Sequence, residues 1–179
     1  MSWEICLRFV PAYDSGAFED DAPGERPELV VTHDAINQYQ LSKPTPLVVD
    51  HDFGQTIGRV TNTWVSKDVD FGTRVRNWWF AGAELDERPE WLKRGCAVSW
   101  CYHPLHTYQP WDDGPEVMTS ALLREISVLS PGVEPREKLA RVGYVKELPA
   151  ARNAEPEGQV FGHGQMLIRP NIGTVLGVR

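Results

Sequence analysis

Apolar and polar residues alternate along several short segments, which is the pattern of half-buried β-strands. In residues 2–10, Trp3, Ile5, Leu7 and Phe9 alternate with polar or small neighbours. Further strands are predicted at residues 28–31, 47–51, 56–66, 73–85, 97–103 and 121–129. The breaker-rich segment 67–72 suits a hairpin connection between two of them. The pattern therefore predicts a mostly antiparallel, strongly curved sheet or small barrel.

Between these strands the sequence predicts a few helices and several loops. One helix begins at Thr32 or Asp34 and runs to about Leu41, and shorter ones are expected at residues 89–93 and 136–145. Residues 12–27 and 104–119 are rich in polar residues and proline, and we expect loops there. The expected fold is thus α+β, a small, mostly antiparallel β-barrel flanked by a few helices. Residues 1–147 would form this domain, and 148–179 a linker and C-terminal tail.

Composition and charge narrow the class of protein. The 179 residues are 41% hydrophobic and 24% charged, values typical of a globular domain. No apolar run approaches the roughly 20 residues that cross a bilayer, and the first residues lack the basic region of a secretory signal. The net charge of −7 argues against direct binding of nucleic acid. Three cysteines without a CxxC pair favour a reducing compartment.

Three residues on separate predicted strands form a candidate nucleophilic site. His51 lies where an apolar strand ends, Ser99 lies in a strand that follows Gly95, and Glu125 interrupts an apolar strand. A serine, a histidine and a carboxylate that meet on a curved sheet can act as nucleophile, general base and orienting acid. Each residue also has a structural interpretation. Ser99 would be a small packing residue, His51 a surface or capping group, and Glu125 an outward-facing residue.

A metal site is a weaker alternative. The sequence has five histidines but no HExxH motif and no quartet of cysteines and histidines. His51, Asp52 and His33 would be the ligands of a metal-dependent hydrolase, although the segment Asp50-His51-Asp52 is the one local cluster that favours it.

Three sequence blocks, taken in order, resemble the prohead (capsid maturation) proteases of tailed phages, which are distant relatives of the herpesvirus assemblins. The blocks span about residues 47–145. They are His51-Asp52 followed by Ile57-Gly58-Arg59-Val60, then Leu92–Gly95 leading to Val98-Ser99-Trp100, and finally Leu123–Leu129 followed by Pro131 and Pro135. The run Trp100-Cys101-Tyr102 is bulkier than the family pattern after the serine.

The resemblance implies a serine endopeptidase without metal or organic cofactor. Ser99 would be the nucleophile, His51 the general base and Glu125 the third member. The substrates would be phage scaffold and major capsid precursor proteins, cut inside the procapsid in the host cytoplasm, with no direct nucleic-acid or membrane contact. The tail would dock on the shell or scaffold, be self-cleaved, or pack on the domain, and self-association or self-cleavage of the protein is a further expectation. The alternative is a non-catalytic capsid or tail assembly protein of related β-barrel architecture.

Overall fold

A computed structural model describes residues 2–14, 28–36, 44–70 and 74–149 of the chain. Every regular element in these ranges is a β-strand. In chain order the strands are β1 (Ser2–Pro11), β2 (Leu29–Val31), β3 (Thr45–Val49), β4 (Asp52–Asp70), β5 (Arg74–Leu85), β6 (Val98–Tyr108), β7 (Glu116–Val128) and β8 (Arg141–Leu148). The predicted strands are therefore confirmed in outline, and most extend beyond their expected ends.

The strands form one open mixed sheet rather than the expected barrel with helices. Their order is β2-β7-β3-β4-β5-β1-β8, and β6, which lies off this path, pairs with β7. Strands β2 and β3 run parallel to β7, whereas all other pairs are antiparallel. The predicted α+β class is wrong, because no part of the chain that the structure describes is helical.

None of the three predicted helices forms in the described residues, and a strand replaces part of one of them. Thr32 forms an isolated bridge with Tyr13, residues 33–36 form a turn and a bend, and the rest of that predicted helix lies outside the described residues. Residues 89–93 form a turn in which the Leu92 amide donates to the Pro89 carbonyl at 3.0 Å. Arg141–Leu148 is strand β8, whose Val142 is buried opposite Leu7 of β1. Long-range pairing that buries a strand regularly overrides weak local propensity.

The expected loop at 104–119 is also mostly strand. β6 continues through Tyr108 and β7 begins at Glu116, so only a short connection remains between them. Proline-containing segments can enter a sheet where the proline needs no ladder hydrogen bond, as at irregular or edge positions. Pro104 lies beside a register shift in the β6–β7 pair. The hairpin formed by β6 and β7 is therefore longer than expected from the proline-rich, polar composition of residues 104–119.

Strands β6 and β8 approach each other at one end. Ala97, just before β6, forms an isolated bridge with Arg141. The Gly95 amide donates to the Val142 carbonyl and the Val142 amide to the Cys96 carbonyl, each at 2.9 Å. These bonds fix the start of β6, where Ser99 follows. No helix of the described ranges has both the length and the apolar character needed to cross a membrane.

Candidate functional site

His51 occupies a two-residue turn between β3 and β4. Val49 pairs with Asp52, and the two residues between them have positive φ angles, 50° at Asp50 and 63° at His51. Positive φ at both central positions is the signature of a type I′ hairpin turn. Aspartate and histidine tolerate this left-handed region better than most side chains. The turn therefore presents the imidazole at the tip of the β3–β4 hairpin.

Residues at the end of β7 hold this turn. The Asp50 amide donates to the Val128 carbonyl at 3.2 Å, and the His51 amide donates to Ser127 Oγ at 2.8 Å. The Asp50 carboxylate accepts from the Ser130 amide at 2.7 Å and from the Ser130 hydroxyl. These contacts offset the strain of two non-glycine residues at positive φ.

The same strand supplies the carboxylate that meets His51. His51 Nδ1 lies 2.7 Å from Glu125 Oε1, with the imidazole 46% exposed and the glutamate side chain 1% exposed. Burial raises the pKa of the Glu125 carboxyl, and its hydrogen bond and charge interaction with His51 act in the opposite direction. Oε2 of Glu125 is buried and has no partner in the part of the chain that is described. His51 is thus the polar contact of an otherwise poorly solvated carboxylate.

Apolar pairs fix the side of the sheet on which the polar residues lie. Val98 pairs with Val128 and Trp100 with Ile126, and all four pack in or against the hydrophobic core. Neighbouring residues of a strand face opposite sides. Ser99 must therefore face away from the core.

Ser99 lies directly opposite Ser127 in the β6–β7 pair. Directly opposed residues have Cβ atoms about 4.5–5.5 Å apart, and diagonal neighbours about 7–8 Å apart. Ser99 is thus one strand spacing from the serine that binds the His51 amide, and diagonal to Glu125. It is 6% exposed, and within the described ranges it makes no hydrogen bond to His51. The fold brings Ser99, His51 and Glu125 to one face, with the Ser99–His51 hydrogen bond unformed.

A β-bulge at Arg124 explains how a carboxylate fits within an apolar strand. Cys101 pairs with Glu125 and the next residue, Tyr102, pairs with Leu123, so Arg124 is an extra residue on β7. The shift lets Leu123 and Ile126 both join the core while Glu125 faces the other side. Glu125 therefore faces away from the core, as its structural interpretation expected, but it is fully buried.

The arrangement determines how the imidazole can act. A carboxylate at Nδ1 favours the tautomer with the proton on Nδ1, which leaves Nε2 as the free acceptor. This is the nitrogen that takes a proton from a nucleophilic hydroxyl in a serine–histidine–acid site. The site can therefore support acyl transfer once Ser99 and Nε2 come within hydrogen-bond range.

Two of the three residues proposed as metal ligands, His33 and Asp52, make polar contacts with other residues. His33 Nδ1 contacts Asp14 Oδ1 at 2.7 Å, and the Asp52 carboxylate accepts from the Gly54 amide and from Gln55 Nε2. The latter two bonds lower the pKa of Asp52. Within the described ranges, no three histidine, cysteine or acidic side chains lie together as a metal site would require.

The residues that support the turn, Ser127, Ser130 and the Asp50 carboxylate, were not predicted from the sequence. A signal for them was present. It was the polar pair Asp50-His51 after an apolar run, although the pattern assigned both residues to the end of a strand over 47–51. In the structure the pair is a two-residue connection between β3 and β4, which is the length of the commonest hairpin turn. The partners on β7 could not be found without the register of the parallel β3–β7 pair.

No protein-family model matches the chain, and comparison with curated proteins gives no significant match.

Proposed function

We propose that this protein is a serine endopeptidase that cleaves scaffold and major capsid precursor proteins during maturation of a phage procapsid. The observation that carries the proposal is the 2.7 Å contact between His51 and the buried Glu125, on the sheet face to which Ser99 also belongs. A buried acid that orients a partly exposed imidazole beside a serine is the arrangement that nucleophilic catalysis requires.

In the proposed mechanism, His51 Nε2 takes the Ser99 proton as the hydroxyl oxygen attacks the scissile carbonyl. Glu125 keeps the Nδ1 proton in place and stabilises the imidazolium. The imidazolium then protonates the leaving amine, and an acyl-enzyme remains on Ser99. Water, deprotonated by the same imidazole, hydrolyses the ester and returns the hydroxyl to Ser99.

The substrate class and setting of the proposal rest on the three sequence blocks that resemble prohead proteases. Their order, with His51 first, Ser99 second and Glu125 third, supports a capsid precursor or scaffold as the substrate. Cleavage would take place inside the procapsid in the host cytoplasm, and processing of the chain's own tail is part of the proposal.

The test is co-expression with the candidate capsid precursor. Ser99→Ala should abolish processing on a denaturing gel while the thermal midpoint changes little. Ser66→Ala is the matched control, because Ser66 lies exposed on β4, and it should process normally. Normal processing by Ser99→Ala would refute the proposal.

A second candidate is the non-catalytic assembly protein, favoured by the missing Ser99–His51 hydrogen bond and the low exposure of Ser99. A fluorophosphonate probe discriminates the two. Covalent labelling of the wild type that is lost in Ser99→Ala supports the enzyme. An assembly protein leaves the probe unreacted while still binding the capsid precursor.

A further inference from the structure

The face that carries Ser99 continues into a groove. Ala97 lies two residues before Ser99, and the Leu129 amide donates to its carbonyl at 2.9 Å, two residues beyond the Ser99–Ser127 pair. Residues two apart on a strand share a face and are about 7 Å apart. Ala97 and Leu129 both line a cavity of about 450 Å³. The cavity thus begins two residues along the strand from the candidate nucleophile.

A second cavity of about 460 Å³ adjoins the first, and both include Gly95, Ala97, Gly132 and Val133 in their walls. We name the two together the Gly95–Gly132 groove. Both glycines have positive φ angles, 88° and 93°, and a Cβ on either would meet no atom within 4 Å. The groove is therefore open at its centre, and the glycines are required by the backbone rather than by close packing.

The charges on the walls are mainly positive. Lys93 and Arg94 line one cavity and Lys138 and Arg141 the other, against the two carboxylates Glu90 and Glu134. The whole chain has a net charge of −7, so this excess of cations is opposite in sign to the protein as a whole. A local surplus of one sign beside an open groove attracts ligands of the opposite sign.

We propose that the Gly95–Gly132 groove binds an extended, acidic peptide segment of the substrate, on one side of the scissile bond. The inference rests on the proposed peptidase function and adds its substrate class. The groove has the size of a peptide-binding cleft, and Val133, which is exposed, gives it an apolar contact beside the charges. Aspartate or glutamate side chains would reach Lys93 and Arg94 at one end and Lys138 and Arg141 at the other.

The experiment profiles cleavage in a peptide library made from a digested proteome. Cuts made by the wild type and lost in Ser99→Ala define the specificity. We expect aspartate and glutamate to be enriched within about four residues on one side of the cut. Exposed ion pairs are worth up to about 1 kcal/mol, so kcat/KM for an acidic peptide should exceed that of its glutamine counterpart roughly two- to fivefold.

Charge-reversal variants test whether the cations of the groove cause the acidic preference. Lys93→Glu combined with Arg94→Glu should abolish the acidic preference. The matched control, Lys67→Glu combined with Lys146→Glu, makes the same charge change at exposed positions outside the groove and should keep the preference. Two outcomes would refute the role of the groove without refuting the peptidase function. One is Ser99-dependent cleavage with no preference for acidic residues, and the other is an equal loss of that preference in both double variants.

If no cut in the library depends on Ser99, the proposed peptidase function is refuted. The peptide-binding role of the groove is then tested separately by a binding measurement. Fluorescence anisotropy would compare a labelled eight-residue peptide of alternating alanine and glutamate with its glutamine counterpart, both on Ser99→Ala protein. Tighter binding of the glutamate peptide, lost on reversal of Lys93 and Arg94, supports the groove. Equal binding of the two peptides, or none, overturns it.

Discussion

The Asp50 carboxylate accepts hydrogen bonds from both the amide and the hydroxyl of Ser130, with the amide at 2.7 Å. This contact joins the turn that carries His51 to the segment that follows β7, the strand that carries Glu125. Because Asp50 has a φ of 50°, the turn includes a residue in a conformation that most side chains avoid. The position of the imidazole therefore depends on this contact as well as on the Glu125 pair.

Two substitutions at Asp50 distinguish the effect of backbone strain from the effect of losing the hydrogen bonds to Ser130. Asp50→Ala removes the carboxylate and keeps the strain, whereas Asp50→Gly removes the carboxylate and relieves the strain. We expect Asp50→Ala to lower the free energy of unfolding by about 1–3 kcal/mol and Asp50→Gly by less. Chemical denaturation measures both. Equal stability of Asp50→Ala and the wild type would show that the contact does not hold the turn.

Ser127→Ala tests the second support of the turn. The Ser127 hydroxyl accepts the His51 amide at 2.8 Å and is fully buried, so its loss leaves that amide without its partner. We expect a loss of about 1–3 kcal/mol in the free energy of unfolding and a fall in kcat with KM nearly unchanged, because the groove is untouched.

Ser120→Ala, on the same strand but away from the turn, is the control for Ser127→Ala and should change neither quantity. A Ser127→Ala protein with raised KM and unchanged kcat would contradict the positioning role, because it would place Ser127 in substrate binding instead.

Seven of the eight described strands could be predicted from the sequence because alternation of apolar and polar residues is a short-range pattern, whereas the catalytic roles of Ser99, His51 and Glu125 stay a prediction. The alternation around Ser99 is sufficient to set its face once Val98 and Trp100 are assigned to the core. The helices were wrong where a cap or breaker signal lay in a segment that pairs over long range, as Arg141–Leu148 does with β1. Propensity cannot reveal a partner more than 130 residues away.

The bulge at Arg124 and the support of the Asp50–His51 turn could not be predicted for the same reason. A bulge is defined by the register of two strands, and here it depends on β6 pairing with β7. Asp50 and His51 were placed at the end of a predicted strand over 47–51, and Ser127 and Ser130 become their partners only through the parallel pairing of β3 with β7.

Glu125→Gln tests the electrostatic cost of the buried acid. Burial raises the folded-state pKa of Glu125 above the ordinary value of 4.5. Between these two values the folded state binds more protons than the unfolded state, so stability falls as pH rises through this window. Removing the charge should therefore raise the thermal midpoint at neutral pH relative to wild type, and the difference should shrink as pH falls toward 4.5.

Activity should respond to Glu125→Gln in the opposite direction. The amide cannot stabilise the imidazolium, so kcat should fall by roughly 10²–10⁴-fold even as the fold becomes more stable. Loss of stability together with unchanged activity would show that the carboxylate has a structural role alone.

Cys101 provides a chemical probe of the face that carries the site. It is exposed, and it lies directly opposite Glu125 and two residues from Ser99 on the same face of β6. A bulky maleimide on this thiol should therefore block access to the site and reduce peptide cleavage at least about tenfold, as measured after mass spectrometry shows a single adduct. Cys101→Ala should keep activity and become resistant to the reagent, because Cys6 is buried and Cys96 only partly exposed. Full activity of the singly labelled wild type would mean that substrate does not approach over this face of β6 and β7, and the placement of the site beside Ser99 would have to be abandoned.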